Sequence, residues 1–110
     1  MQVNIEALCA YLEKQYGGKV RAESLFMKLV EEIGEVAEAL NKIGGRKAAD
    51  GEDLENALGS ELADVIHYAV AIAAVSGLDL NQIILEKDAR ASAKYNRQQN
   101  LAQFIRELQG

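Results

Sequence analysis

The sequence predicts an all-α protein, and three observations carry that prediction. Apolar residues recur at three- and four-residue spacing through most of the chain, and alternating strand patterns are absent. The chain has no proline, and its glycines gather mostly between the periodic segments, at Gly17-Gly18, Gly44-Gly45, Gly51 and Gly77. At 110 residues with 49% hydrophobic content it fits one domain, residues 1–110, with enough apolar side chains for a core. The architecture expected is a four-helix bundle core completed by oligomerisation.

The first helix runs roughly from residue 3 to 16, where Ile5, Leu8, Leu12 and Tyr16 share one side. Cys9 lies on that apolar face; it has no second cysteine to pair with and reads as a buried inert thiol. The second helix covers about 22 to 43, with Leu25, Phe26, Leu29, Ile33, Val36, Ala37 and Leu40 as its apolar stripe. A polar loop from about Gly44 to Asp53 leads into a third helix over about 53 to 76. There Leu58, Leu62, Val65, Ile66, Ala69 and Ala73 form one stripe, and Ala63, Val70, Ile72, Ala74 and Val75 carry apolar character round the cylinder. Its second half must therefore be buried on nearly every side. The fourth helix opens at Asp79, which has the spacing of a capping pair with Gln82, and runs past residue 100.

Composition narrows the function. With 12 basic against 17 acidic residues the net charge is −5, which argues against a nucleic-acid polymer, because phosphate backbones reward cationic faces. A small phosphorylated molecule is still open to such a protein through metal ions. No signal-like segment opens the chain, since Glu6 interrupts it early, and no uninterrupted apolar run reaches the length of about 18 residues that argues for a membrane span. A cytoplasmic protein with no membrane partner is expected.

Two acidic clusters stand out, Glu31-Glu32-Ile33-Gly34-Glu35 and Glu61-Leu62-Ala63-Asp64. Each places two carboxylates three residues apart, close to one helical turn, so both project from one side of a helix. Two such helices face to face make a cage of four carboxylates, which repel unless divalent cations sit between them; hard cations such as Mg²⁺ or Mn²⁺ take oxygen ligands of this kind. Glu61, Asp64 and Tyr68 lie on a row that continues into Ile72 and Val75, so these acids are aligned with positions that avoid water. That row points to a metal, a basic partner or a wet cavity. For the second helix a plainer account stands beside it: Lys28 precedes Glu32 by four residues and Glu38 precedes Lys42 by four, the spacing of ordinary intrahelical ion pairs.

The two-part pattern, EExxE and then ExxD on the next helix, resembles the MazG-like family of nucleoside triphosphate pyrophosphohydrolases, within the all-α superfamily that also includes dimeric dUTPases. The resemblance spans about Leu25 to Lys94 and is densest from Leu29 to Leu40 and from Glu61 to Ile66. It implies that Glu32, Glu35, Glu61 and Asp64 bind Mg²⁺ and carry catalysis, with Glu31 in a supporting position behind them. The implied reaction converts a (deoxy)nucleoside triphosphate to the monophosphate and pyrophosphate, with cations neutralising the phosphate charge and activating water. Clearing non-standard or excess nucleotides is the implied role, and a homodimer or homotetramer the implied assembly.

Lys87, Arg90, Lys94 and Arg97 recur along the fourth helix as a basic row able to face phosphates. The family carries an asparagine four residues after its lysine, whereas Ala91 stands there in this chain and Asn96 is displaced. Lys87, Lys94, Asn96 and Arg97 are the nucleotide-binding candidates, with a plain solvated basic face as the alternative. Asp64 and His67 echo the acid-x-x-His spacing of di-iron bundles, but such a site needs a second histidine that the chain lacks, so His67 is expected to be a hydrogen-bonded core or interface residue. Tyr68 is expected to pack. The rival to an enzyme is a non-catalytic helical module whose acidic faces meet a basic partner.

Overall fold

Five helices follow one another in the computed structural model, which describes residues 1–45 and 53–110. They are α1 (Ile5–Tyr16), α2 (Ala22–Ile43), α3 (Leu54–Val75), α4 (Leu80–Lys94) and α5 (Leu101–Gln109). No strand occurs among the described residues, in keeping with the all-α expectation. The polar loop expected between Gly44 and Asp53 lies mostly outside them.

Apart from α2, which starts after Arg21 with no side-chain cap, helix starts are set by short polar side chains. Asn4 accepts from the Ala7 amide at 2.7 Å, Asp53 from Asn56 at 3.2 Å and Asp79 from Gln82 at 3.1 Å, each satisfying an amide that the first turn leaves without an intrahelical partner. The expected fourth helix is divided in two. Asn96 takes a left-handed conformation with φ 53°, its amide and that of Arg97 bond back to Ala93 and Ser92, and α4 stops there. A new helix then opens at Asn100, whose side chain accepts from Gln103 while Gln103 accepts from the Asn100 amide, a reciprocal capping box. Gly77, at φ 69°, closes α3 with the same pattern of backward bonds from Gly77 and Leu78.

Packing follows the α3 axis. α2 lies antiparallel along α3, α1 packs against the C-terminal half of α3, and α4 rests on α1 and α5. Leu12, Leu25, Val70, Ala71 and Ala74 form the buried centre, with Ile5, Leu8, Cys9, Ile72 and Leu80 packed around it. Cys9 is half-buried and unpaired. α3 is long and apolar enough to cross a bilayer by length and composition. In this fold it is instead the helix on which α1 and α2 pack, and it carries Glu61 and Asp64 in its first half.

The apolar stripe expected on α2 proves to be two seams. Leu25, Leu29, Val36 and Ala39 face inward, whereas Phe26, Ile33 and Leu40 from the same expected stripe, together with Val30, stand exposed. Glu32 falls between Leu29 and Val36 on the inward seam and is half-buried. Leu62 and Ile66 on α3 are exposed as well. The sequence expectation of near-complete burial for the second half of α3 holds only from Val70 onward, where Val70, Ala71, Ala73 and Ala74 are enclosed; Ile66 and Ala69 stand exposed, because no described element of this chain packs on that side.

Candidate metal centre

The inward seam of α2 brings Glu32 to the first half of α3, where Glu61 and Asp64 stand one helical turn apart. One carboxylate oxygen from each of the three lies within 4.8 Å of the others. Without a cation such a triplet repels, and Glu32 records the effect. A hydrogen bond shared with Glu61 is the main cause holding its carboxyl above the ordinary value of 4.5; loss of water and the charges of Asp64, Glu61 and Glu31 push in the same direction. With no cation between them, the acids make this carboxyl hold its proton more tightly. The donor set is all oxygen and matches hard cations such as Mg²⁺ or Mn²⁺.

Glu35, the fourth expected ligand, lies outside this triplet among the described residues and lines an adjoining cavity with Glu61. Glu31 points away from the cluster's centre to pair with Lys28 at 3.4 Å, both side chains well exposed. The ion pairs anticipated on α2 are thus partly present, since Glu38 also meets Lys42 at 3.9 Å, yet Glu32 takes no part in either of these two pairs.

The basic candidates sit elsewhere on the chain. Lys87, Arg90, Lys94 and Arg97 are exposed on α4 and the turn after it, and α4 packs chiefly on α1 and α5 rather than on the acidic pair α2–α3. Lys94 and Arg97 flank the Tyr95 ring at 5.4 and 5.8 Å, and Arg97 also pairs with Asp88 at 3.8 Å. Asn96 ends α4 in its left-handed turn. Within one chain, then, these side chains and the carboxylates are not brought together.

A contact that sequence reasoning missed stands beside the acids. Tyr16 Oη and His67 Nε2 share a hydrogen bond of 2.8 Å, tying the end of α1 to α3 one turn beyond Asp64. Tyr68 meets the His67 ring edge to face, with centroids 4.9 Å apart. Burial, then the neighbouring Tyr68 and Tyr11, raise the pKa of Tyr16. His67 is half-buried and hydrogen-bonded, in keeping with the expected core or interface histidine.

Residues 21–100 match the model of the MazG nucleotide pyrophosphohydrolase domain. The chain belongs to that family. This MazG domain covers α2, α3 and α4 and ends at the cap of α5, so the acid triplet lies wholly inside it. The crystal structure of iMazG from Vibrio DAT 722 is similar in fold, with a TM-score of 0.66 and 28% sequence identity over 86% of this chain and 100% of that one. Among curated proteins, none matches the sequence significantly.

Proposed function

We propose that this MazG domain is a Mg²⁺-dependent nucleotide pyrophosphohydrolase that converts (deoxy)nucleoside triphosphates to monophosphates and pyrophosphate, clearing non-standard or excess nucleotides in the cytoplasm. The convergence of Glu32, Glu61 and Asp64 within 4.8 Å, inside the family domain, carries the reading. A bound Mg²⁺, or Mn²⁺ in its place, supplies the positive charge that draws a polyphosphate to an acidic protein and makes water nucleophilic. The three carboxylates hold it, Glu35 completes the set from the adjoining turn, and Glu31 with its Lys28 partner supports the outer side. In the reaction the water oxygen bonds to phosphorus, the bridging oxygen between the α- and β-phosphates departs with its electron pair, and a carboxylate not engaged as a ligand takes the proton.

Assembly belongs to the same proposal. The chain exposes 8112 Å² against about 6000 Å² for a compact folded monomer of this length. Its radius of gyration is 17.0 Å, where about 13 Å suits a compact chain of about this size. The surplus surface is of the order that an obligate homodimer covers on each partner. The outer seam of α2 and the exposed Leu62 and Ile66 on α3 supply the apolar face, so we assign a homodimer, or a dimer of dimers, built on α2 and α3. In that assembly the basic row of α4, with Lys87, Lys94, Asn96 and Arg97, meets the nucleotide from a second copy.

Pyrophosphate release from a panel of nucleoside triphosphates, with and without Mg²⁺, tests the reading. Release that needs the metal is expected for at least one nucleotide. No release from any of them with Mg²⁺ or Mn²⁺ rejects the enzyme and leaves the acidic faces as a binding surface for a basic partner.

A further inference from the structure

α5 lies beyond the residues that match the family domain, and it carries the most sharply amphipathic pattern among the helices. Leu101, Phe104, Ile105 and Leu108 stand at i, i+3, i+4 and i+7, one apolar stripe. The chain covers only part of that stripe: Leu101 and Ile105 are half-buried, whereas Phe104 is 48% and Leu108 72% exposed. A helix of nine residues is too short to hold itself in water, so its place is fixed by its surroundings. Asp88 on α4 does this. One of its carboxylate oxygens accepts from the Leu101 amide at 2.6 Å and from the Ser92 hydroxyl at 3.5 Å, and the other meets Arg97 at 3.8 Å. The capping box at Asn100 closes the first turn. Polar bonds thus tie the α4–α5 corner together while two large apolar side chains face outward.

Charge and shape select what covers them. A lipid surface rewards a basic polar face, and beside its stripe α5 carries one base, Arg106, and one acid, Glu107, in a chain of net charge −5. A groove on an unrelated protein encloses a free helix, and this one has its back against α4. A second copy needs neither, and the face is locally neutral, so two copies meet there despite their net charge. Size then sets the number of contacts. Nine residues span about 14 Å, so a single α5–α5 contact falls short of the roughly 1,000 Å² that holds two proteins together. A dimer built on α2 and α3 carries two such faces, and two contacts acting at once double the area and reinforce each other. α5 packs on α4 and forms no part of the α2–α3 face. Resting on the α2–α3 dimer of the proposed assembly, we infer that α5 is a docking surface for a second copy: it pairs with α5 of another dimer through Phe104 and Leu108, and two such contacts build the dimer of dimers.

Light scattering of the whole protein beside the double variant Phe104→Ser with Leu108→Ser tests this. The wild type is expected to scatter as four chains and the double variant as two, with the helical circular dichroism unchanged. Ile66→Ser, on the other face, is expected to fall to single chains, because one α5 contact is too small to hold two copies alone. A wild type of two chains at every concentration, or a double variant that still scatters as four, overturns the inference. Hydrogen exchange gives a second measurement that needs no variant to fold. Amide protection over residues 101–109 is expected to fall when the wild type is diluted until it scatters as two chains, and protection unchanged through that dilution overturns the pairing. Flotation of the wild type but not of the double variant with phosphatidylcholine vesicles assigns the face to lipid and overturns it as well. A dimeric wild type that Ile66→Ser dissociates removes the α5 contact alone; a monomeric wild type removes the α2–α3 dimer on which it rests.

Discussion

The two halves of α3 solve opposite problems. Its C-terminal end buries Val70, Ala71 and Ala74 against Leu12 and Leu25, a closed apolar junction completed within one chain. Its N-terminal part, from Leu54 to Ile66, faces the inward seam of α2 with Glu61 and Asp64 and leaves Leu62 and Ile66 open to solvent. One helix therefore anchors the fold at one end and presents charge and apolar surface at the other. Stability is concentrated at the closed end, and under the proposed function the open end is completed from outside the chain, by a cation between the acids and by a second copy over the leucine and isoleucine. Variants at the two ends should separate these roles cleanly.

The largest effect belongs to the open half. Asp64→Asn or Glu35→Gln removes a charged ligand while keeping shape, and turnover is expected to fall by at least about two orders of magnitude with the helical circular dichroism unchanged. The pair of variants also decides how many carboxylates matter. Near-native turnover in Glu35→Gln alone reduces the ligand set to the triplet already converged; near-native turnover in both rejects the centre altogether.

Next come substitutions that set the closed junction against the exposed face. Leu12 is 0% exposed, and Leu12→Ala is expected to cost about 2–5 kcal/mol of stability through lost burial and the cavity it leaves. Ile66, 52% exposed in the single chain, should behave differently. Ile66→Ser leaves the junction untouched but weakens association, so light scattering should show dissociation at concentrations where the wild type is a dimer or tetramer, and its melting temperature should rise with protein concentration. A wild type that scatters as a compact monomer at micromolar concentration removes the assembly from this picture.

How much of this was legible in the sequence follows the same division. Carboxylates three residues apart on an apolar helix announce their own geometry, so Glu61 and Asp64 were readable before any fold was known. The two seams of α2 were not, because Leu25, Leu29 and Val36 are as apolar as Phe26, Ile33 and Leu40, and periodicity alone does not say which seam meets the chain itself. Tyr16 and His67 lie 51 residues apart, and no local pattern links them. The break before α5 did leave a signal, the polar run from Asn96 to Asn100 followed by Gln103 at capping distance, which repeats the Asp79 and Gln82 spacing used to start α4. The placement of the basic row depends on how α4 packs, a tertiary outcome, and so its separation from the acids within one chain needed the structure.

The smallest effect concerns the cost of leaving the centre empty of metal. Glu32 has its carboxyl pKa raised above 4.5, chiefly by the hydrogen bond to Glu61, so the folded state holds that proton more tightly than the unfolded chain. A raised folded value gives stability that is complete below the unfolded value and is lost as pH climbs through the folded one. In metal-free buffer the melting temperature should therefore decline as pH rises from about the ordinary carboxyl range towards neutrality, over and above the slope shared by the rest of the chain. Glu32→Gln has no proton to lose there: it should flatten that part of the slope and melt higher than the wild type at neutral pH. Mg²⁺ should do the same to the wild type by replacing the proton with a cation, and should do little for Glu32→Gln. A variant that instead melts lower than the wild type in metal-free neutral buffer would show that Glu32 stabilises the fold as an ion-pair partner, and the tension assigned to the open half of α3 would have to be withdrawn.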